Sequence, residues 1–340
     1  MPTPPTPVRV NLLTNPNSRG LQRDVEVITN VLQQYLDCRI LVLDLFAKTP
    51  DDPGARGADI NLYLETLHQG RYLGCAQSNW LMVNPEWYLP EFERSLSQIS
   101  LILSKTRHAH KLWSSRFGEL RCPYIAFTSR DRLLSDSHVH RTGGFLHIAG
   151  KSSAKGTEEI AKAWHLLNER YKMVAPLTVV TCSSPVYPDE AYVARKLHSL
   201  FAGLPAVRCL HNIPEDQMTI EMNRNRCLLA PSLYEGWGQS LHEGMSAKMV
   251  IMTTDAEPMR SFPGIPQDLL VPVERTVPRY MIHLSYPRVS GIVNAVHRVL
   301  AMKEPEVERL GAAARSGWHA ENDTFCNVLP DLVSRWESFQ

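Results

Sequence analysis

What the chain lacks excludes several classes of protein. No apolar run approaches the roughly 18 residues of a membrane-spanning helix. The proline-rich start, Met1-Pro2-Thr3-Pro4-Pro5-Thr6-Pro7, has none of the apolar core of a signal peptide. An excess of one charge is also missing: 36 Lys and Arg stand against 35 Asp and Glu in 340 residues, with no basic block or stripe. Neither a nucleic acid nor an anionic membrane is therefore indicated as a partner. Cysteine is sparse and scattered (Cys38, Cys75, Cys122, Cys182, Cys209, Cys227, Cys326), with no C-x-x-C and no metal-ligand spacing. Buried reduced thiols in a reducing compartment are the expectation. No Gly-x-Gly-x-x-Gly follows a strand-like run, since Gly236-x-Gly238 is followed by leucine at 241, so a dehydrogenase is disfavoured. These absences predict a soluble, cytoplasmic globular chain, long enough for two domains.

What is present is alternation. Strand-like runs at 8–13, 40–45, 60–64, 80–83, 101–104 and 124–127 are separated by helical or loop segments, among them an amphipathic helix ending near Tyr35. That pattern predicts a parallel sheet covered on both faces. Ser104-Lys105-Thr106-Arg107 follows a strand and suits an anion, but reads better as a helix start in which Thr106 and the basic residues are solvated. Residues 129–144 turn polar and irregular, as an interdomain linker would. The alternation then restarts, with strands expected at 145–150, 177–182, 207–210, 226–230, 250–253 and 269–273. Helices are expected at 157–171, 189–202, 215–223, 290–302, 305–314 and 324–337. A second doubly wound α/β unit follows from that order.

The chain is organised around Pro231-Ser232-Leu233-Tyr234-Glu235-Gly236-Trp237-Gly238-Gln239-Ser240-Leu241-His242-Glu243. A buried strand ends at Pro231, Gly236 and Gly238 allow a tight turn, and helical spacing begins at Ser240. Glycine-loop and helix-terminal N–H groups make an anion site, reinforced by a helix dipole of roughly +0.5 charge. Glu235 before the loop and Glu243 in the first helical turn place acids on either side of it, which suits a nucleotide-diphosphate sugar. The other reading is a capping box, Ser240-x-x-Glu243, that satisfies helix amides and binds nothing. A second loop, Gly150-Lys151-Ser152-Ser153-Ala154-Lys155-Gly156, sits between a strand and a helix opening at Thr157. Its order is not that of a P-loop, because Lys155 precedes Gly156. Two ammonium groups on it suit a diphosphate; two solvated surface lysines are the alternative.

Residues 226–243 resemble the E-x7-E segment of retaining GT-B glycosyltransferases, family 4 in particular, and 145–156 resemble the strand and basic loop that open that family's second domain. The resemblance implies an α/β GT-B fold of two doubly wound Rossmann-like domains facing across a cleft. It assigns 1–138 to an N-terminal, acceptor-side domain and 139–322 to a C-terminal nucleotide-sugar domain, with a helix over 323–340 packing back on the first. By the same resemblance Glu235 lies beside the donor sugar, Glu243 bonds the ribose hydroxyls, and Lys151 and Lys155 grip the diphosphate. The backbone at Gly236, Trp237, Gly238, Gln239 and Ser240 contacts phosphate or sugar, and His211, Asn212 and Ile213 cradle the nucleobase. The family's first-domain loop corresponds to Ser18-Arg19-Gly20, with Arg19 and Gly20 on the donor side; His68 is the candidate for its donor-side histidine.

The implied reaction transfers a sugar from a nucleotide-diphosphate donor with retention at the anomeric carbon. Lys151, Lys155 and helix amides stabilise the departing diphosphate while Glu235 orients the sugar. No cofactor beyond the donor and no metal is expected. Sugar, nucleobase and acceptor stay open. A nucleotide-sugar epimerase on the same fold and a non-catalytic nucleotide-sugar-binding or assembly subunit are the alternatives. The sequence departs from the family pattern at Lys151 (usually arginine), at Trp237 (usually phenylalanine), at 239–242 (usually more apolar) and at Asp255-Ala256-Glu257, where a glycine-rich turn is usual.

Overall fold

A computed structural model describes residues 7–15, 19–48, 52–135, 143–150, 152–182 and 188–339, without the side chains of 19, 188–191, 193 and 194. The chain divides into two compact units. The first comprises Met1–Thr128, Tyr280–Ile282 and Glu321–Gln340, and the second Ser129–Arg279 and His283–Ala320.

The first unit holds β1 (Val8–Thr14), α1 (Arg19–Tyr35), β2 (Cys38–Asp44), β3 (Ala58–Leu64), β4 (Ala76–Met82), β5 (Leu101–Ile102) and α2 (Arg107–Phe117). Its sheet runs β2-β1-β3-β4-β5, and every described pairing is parallel. Leu13, Leu43, Tyr63 and Leu81 pack one face together with Trp113 of α2. Between strands an asparagine ladder carries polar groups through the interior: Asn11 Nδ2 donates to Asn61 Oδ1 (2.8 Å) and Asn61 Nδ2 to Asn79 Oδ1 (2.8 Å). Because each amide is satisfied, burial carries no orphan penalty.

Two expectations for this unit change. Residues 124–127 form no strand; only Tyr124 makes an isolated bridge, to Ser104. The helix does start here, but Thr106 and Lys105 are buried, not solvated: Thr106 caps α2, accepting from the Ala109 amide. The Lys105 ammonium donates to Asp24 of α1 (2.7 Å) and to Glu65 after β3 (3.2 Å). Burial pushes both carboxyls upward against the pull of Lys105; Lys105 itself, which burial drives down, is held above its usual value by the two carboxylates.

The second unit contains β6 (Phe145–Gly150), α3 (Thr157–Glu169), β7 (Leu177–Thr181), α4 (Pro188–Ser199), β8 (Val207–His211), α5 (Glu215–Arg224), β9 (Cys227–Ala230), α6 (Gln239–Ser246) and β10 (Val250–Thr254). After these come β11 (Leu270–Val271), β12 (Val273–Arg279), β13 (Ile282–Pro287, its first residue counted with the first unit), α7 (Val289–Leu300) and α8 (Glu304–Ser334), which belongs to the second unit as far as Ala320 and to the first from Glu321. The sheet order is β11-β10-β9-β6-β7-β8, the doubly wound order that reverses between its first and fourth strands, here β6 and β9. Strand residues alternate between faces as pleating demands. Phe145, Ala149 and Leu229 face a core with Trp164 and Val296, while Leu146, Leu228 and Ile251 face another with Met245 and Trp318.

The paired β12 and β13 were not expected, because β12 is almost wholly exposed and shows no apolar period. The two helices expected at 305–314 and 324–337 are one, α8. Segment 129–134, which reads as a linker, is bound into the second unit through Arg132.

Candidate functional site

In a doubly wound sheet, ligands bind beyond the carboxyl ends of the strands where the order reverses. The two strands at that point, β6 and β9, lie side by side, with Phe145 opposite Cys227 and Leu146 opposite Leu228. They feed the basic loop and the acidic loop respectively. Strand pairing therefore brings the two sequence motifs to one place.

The loops interlock through backbone. The Leu233 amide donates to the Ala154 carbonyl (2.8 Å) and the Ser285 amide of β13 to the Leu233 carbonyl (2.8 Å). Buried His147 on β6 ties the strand to β9 and to the start of α3. One ring nitrogen meets the Leu229 carbonyl (2.8 Å) and the other the Thr157 hydroxyl at the start of α3 (2.8 Å). Burial holds that imidazole neutral, its pKa pulled down to about 4.

Across the interlocked loops stands an ion pair. Lys155 Nζ donates to both carboxylate oxygens of Glu235 (2.6 and 2.8 Å), and the Ser232 hydroxyl donates to Oε1 (2.6 Å). Glu235 is buried, whereas the Lys155 side chain is 26% exposed. An ammonium has three N–H donors, so among the described residues one is left over from the bonds to Glu235. Gly236, Trp237 and Gly238 are buried beside the pair.

Gly238 takes the left-handed conformation (φ 73°) and caps α6. A Cβ there would also stand 2.9 Å from the Phe262 ring, so glycine is required on both counts. The first-turn amides of α6 begin immediately after it, where a helix presents N–H groups without intrahelical partners. His242 fixes the turn: its backbone N–H donates to the Gly238 carbonyl (2.9 Å), and its ring Nδ1 reaches the same oxygen (3.2 Å). The ring packs between Trp237 (5.3 Å between centroids) and Phe262 (5.0 Å). Burial lowers its pKa to about 4.

The capping box is not formed. Gly238, not Ser240, is the N-cap, and it makes no side-chain cap bond. The Glu243 carboxylate instead accepts from Arg132 Nη2 (3.0 Å) and, more weakly, from Gln239 Nε2 (3.4 Å). Arg132 was missed by sequence reasoning, since a polar, irregular stretch gives no sign that one of its arginines is buried. Further along the same sheet, His211 ends β8 with Nδ1 3.0 Å from the Thr181 hydroxyl. Asn212 follows in the left-handed region (φ 50°) with Nδ2 3.1 Å from His211 Nε2, and Ile213 is half-buried.

No protein-family model matches the sequence, and no curated protein matches it. Solved structures do. Sucrose-phosphate synthase from Thermosynechococcus elongatus superposes with a TM-score of 0.72 at 13% identity, covering 98% of this chain and 100% of that one. The chain has the GT-B glycosyltransferase fold. A UDP-forming α,α-trehalose-phosphate synthase from Burkholderia xenovorans (TM-score 0.65, 11% identity, 96% of this chain and 99% of that) shares this GT-B fold. So does an E. coli trehalose-6-phosphate protein bound with UDP-2-fluoro glucose (TM-score 0.68, 11% identity, 96% and 99%).

Of the other residues expected at the site of this GT-B chain, Arg19 and Gly20 open α1 in the first unit. His68, in the same unit, packs on Phe46 (4.1 Å between centroids). Lys151 and Ser18 lie outside the described residues. Among the described residues no group of three or more His, Cys, Asp and Glu is placed to hold a metal ion, and no helix is long and apolar enough to cross a membrane.

Proposed function

We propose that this protein is a retaining glycosyltransferase that takes its sugar from a nucleotide-diphosphate donor. The observation that carries the reading is the Lys155–Glu235 pair at the reversal of strand order, beside the N-terminus of α6. Lys155, joined by Lys151, binds the diphosphate together with the α6 amides, while Glu235 orients hydroxyls of the sugar and Glu243 the ribose. The neighbours with this fold include a UDP-forming enzyme and a protein bound to a UDP-sugar analogue, so a UDP-sugar is the first donor to test.

Breaking the bond from the anomeric carbon to the diphosphate leaves negative charge on the departing oxygen. Cations and helix amides stabilise that charge more than they stabilise the bound donor, and this difference accelerates the reaction. The acceptor hydroxyl oxygen bonds the anomeric carbon, and its proton passes to the departing phosphate oxygen. No side-chain base is needed. The acceptor is a hydroxyl compound whose class is left to assay.

The decisive experiment incubates purified protein with UDP-glucose, GDP-mannose and ADP-glucose and follows both thermal shift and release of the nucleoside diphosphate. Stabilisation by one donor together with its slow turnover supports the enzyme. Stabilisation without turnover under every acceptor mixture supports a nucleotide-sugar-binding subunit. No response to any donor overturns both.

A further inference from the structure

Arg132 is buried, 2% exposed, yet it belongs to neither loop of the candidate site. Its guanidinium spans two helices. Nη2 donates to Glu243 Oε1 of α6 (3.0 Å) and to Glu215 Oε2 at the first residue of α5 (2.5 Å), and Nη1 donates to Thr219 Oγ1 (2.9 Å). Its backbone is held on both sides. The amide donates to the Ser246 hydroxyl of α6 (2.9 Å), and the carbonyl accepts from Asn223 Nδ2 of α5 (2.6 Å). Such a side chain cannot swing without breaking several bonds at once, so its head is a fixed point between α5 and α6.

We infer that Arg132 is a positioning residue for Glu243 and thereby sets the preference for ribose over deoxyribose in the nucleotide. The inference rests on the proposed role of Glu243 as the ribose acid. Glu243 is nearly as buried as Arg132. A carboxylate at that depth needs a partner of opposite charge and a fixed donor to hold its direction. Arg132 supplies both, and an arginine fork does so with less freedom than an ammonium would. The same guanidinium anchors the start of α5, which follows His211-Asn212-Ile213 after Pro214. It therefore also fixes the spacing between those residues and the ribose acid. A diol met by a fixed carboxylate is distinguished from a single hydroxyl; a carboxylate free to turn adapts to either.

The test compares UDP with 2′-deoxy-UDP as probes, by calorimetry on the full chain. The protein as it stands should prefer UDP by about tenfold to a hundredfold, the worth of one charge-assisted hydrogen bond. Glu243→Gln should abolish that ratio. Arg132→Met should bring it to within about twofold of unity, and Arg132→Lys, which keeps the charge and is the safer variant for folding, should lower it partway. A merely structural Arg132 would lower thermal stability and weaken both probes equally. An unchanged ratio in Arg132→Lys and Arg132→Met, with the ratio lost in Glu243→Gln, overturns this inference alone. An unchanged ratio in Glu243→Gln, or no UDP binding by the unaltered protein, overturns the assignment of Glu243 beneath it.

Discussion

Gly156 of the basic loop approaches Pro231 of the acidic loop so closely that a Cβ on the glycine would stand 2.1 Å from the Pro231 carbonyl oxygen. Its backbone is also left-handed, at φ 69°. Gly156→Ala must therefore accept backbone strain of about 1–3 kcal/mol and push the loops apart. Urea denaturation should show that loss, and donor affinity should fall with it. Gly118→Ala is the control: its φ is 90° and nothing lies within 4 Å, so it should lose stability through strain alone and keep donor affinity.

Removing the ammonium from the loop pair separates chemistry from stability. Lys155→Met leaves the Glu235 carboxylate buried with only the Ser232 hydroxyl as its side-chain donor among the bonds described above, at a cost of about 1–3 kcal/mol. Glu235→Gln keeps the shape and removes the charge, so it should cost less in stability. Both should reduce nucleoside diphosphate release from the donor by about a hundredfold or more. Full turnover in either variant would remove the pair from the mechanism.

Two buried imidazoles make the second unit sensitive to acid. His147 and His242 have pKa values pulled down to about 4 by burial, against about 6.5 in an unfolded chain. Between those values the unfolded state binds protons that the folded state refuses, so stability falls as pH drops from 6.5 towards 4. Each histidine should contribute a slope of about 1.4 kcal/mol per pH unit. His242→Leu removes one contributor, and the loss of stability between pH 7 and pH 5 should shrink by about 2 kcal/mol. Denaturant titrations at the two pH values read this directly; an unchanged difference would show that His242 is protonated in the fold.

In the first unit, Lys105 holds two carboxylates, Asp24 buried and Glu65 partly buried. Lys105→Met should cost about 3–5 kcal/mol by leaving Asp24 and Glu65 without their cation. Adding Asp24→Asn should recover part of that loss, and the double variant measures the coupling.

The loops were readable because their information is local. A strand-like run, glycines and a change to helical spacing at Ser240 specify strand, turn and helix without distant help. That Lys155 would pair with Glu235 was not readable, since 80 positions separate them. The capping-box pattern at Ser240 and Glu243 was a fair local reading, but Gly238 took the cap position and Arg132 took the carboxylate. Likewise Gly317 lies between the helices expected at 305–314 and 324–337, yet α8 runs through it. A Cβ there would lie 2.2 Å from the Pro263 carbonyl oxygen, so the glycine serves close packing, not termination.

The order of amino acids by itself determined the alternation of strands and helices and the glycine-bearing loops that follow β6 and β9, because propensity, periodicity and glycine geometry act over a few residues. The tertiary structure alone decided which strands are neighbours, and hence that the two loops share a mouth. It also decided which charges are buried: Lys105, Arg132 and Glu235 look alike on paper to any surface ion. Burial and the partner across the fold are set by packing between distant segments, which no short window of sequence contains.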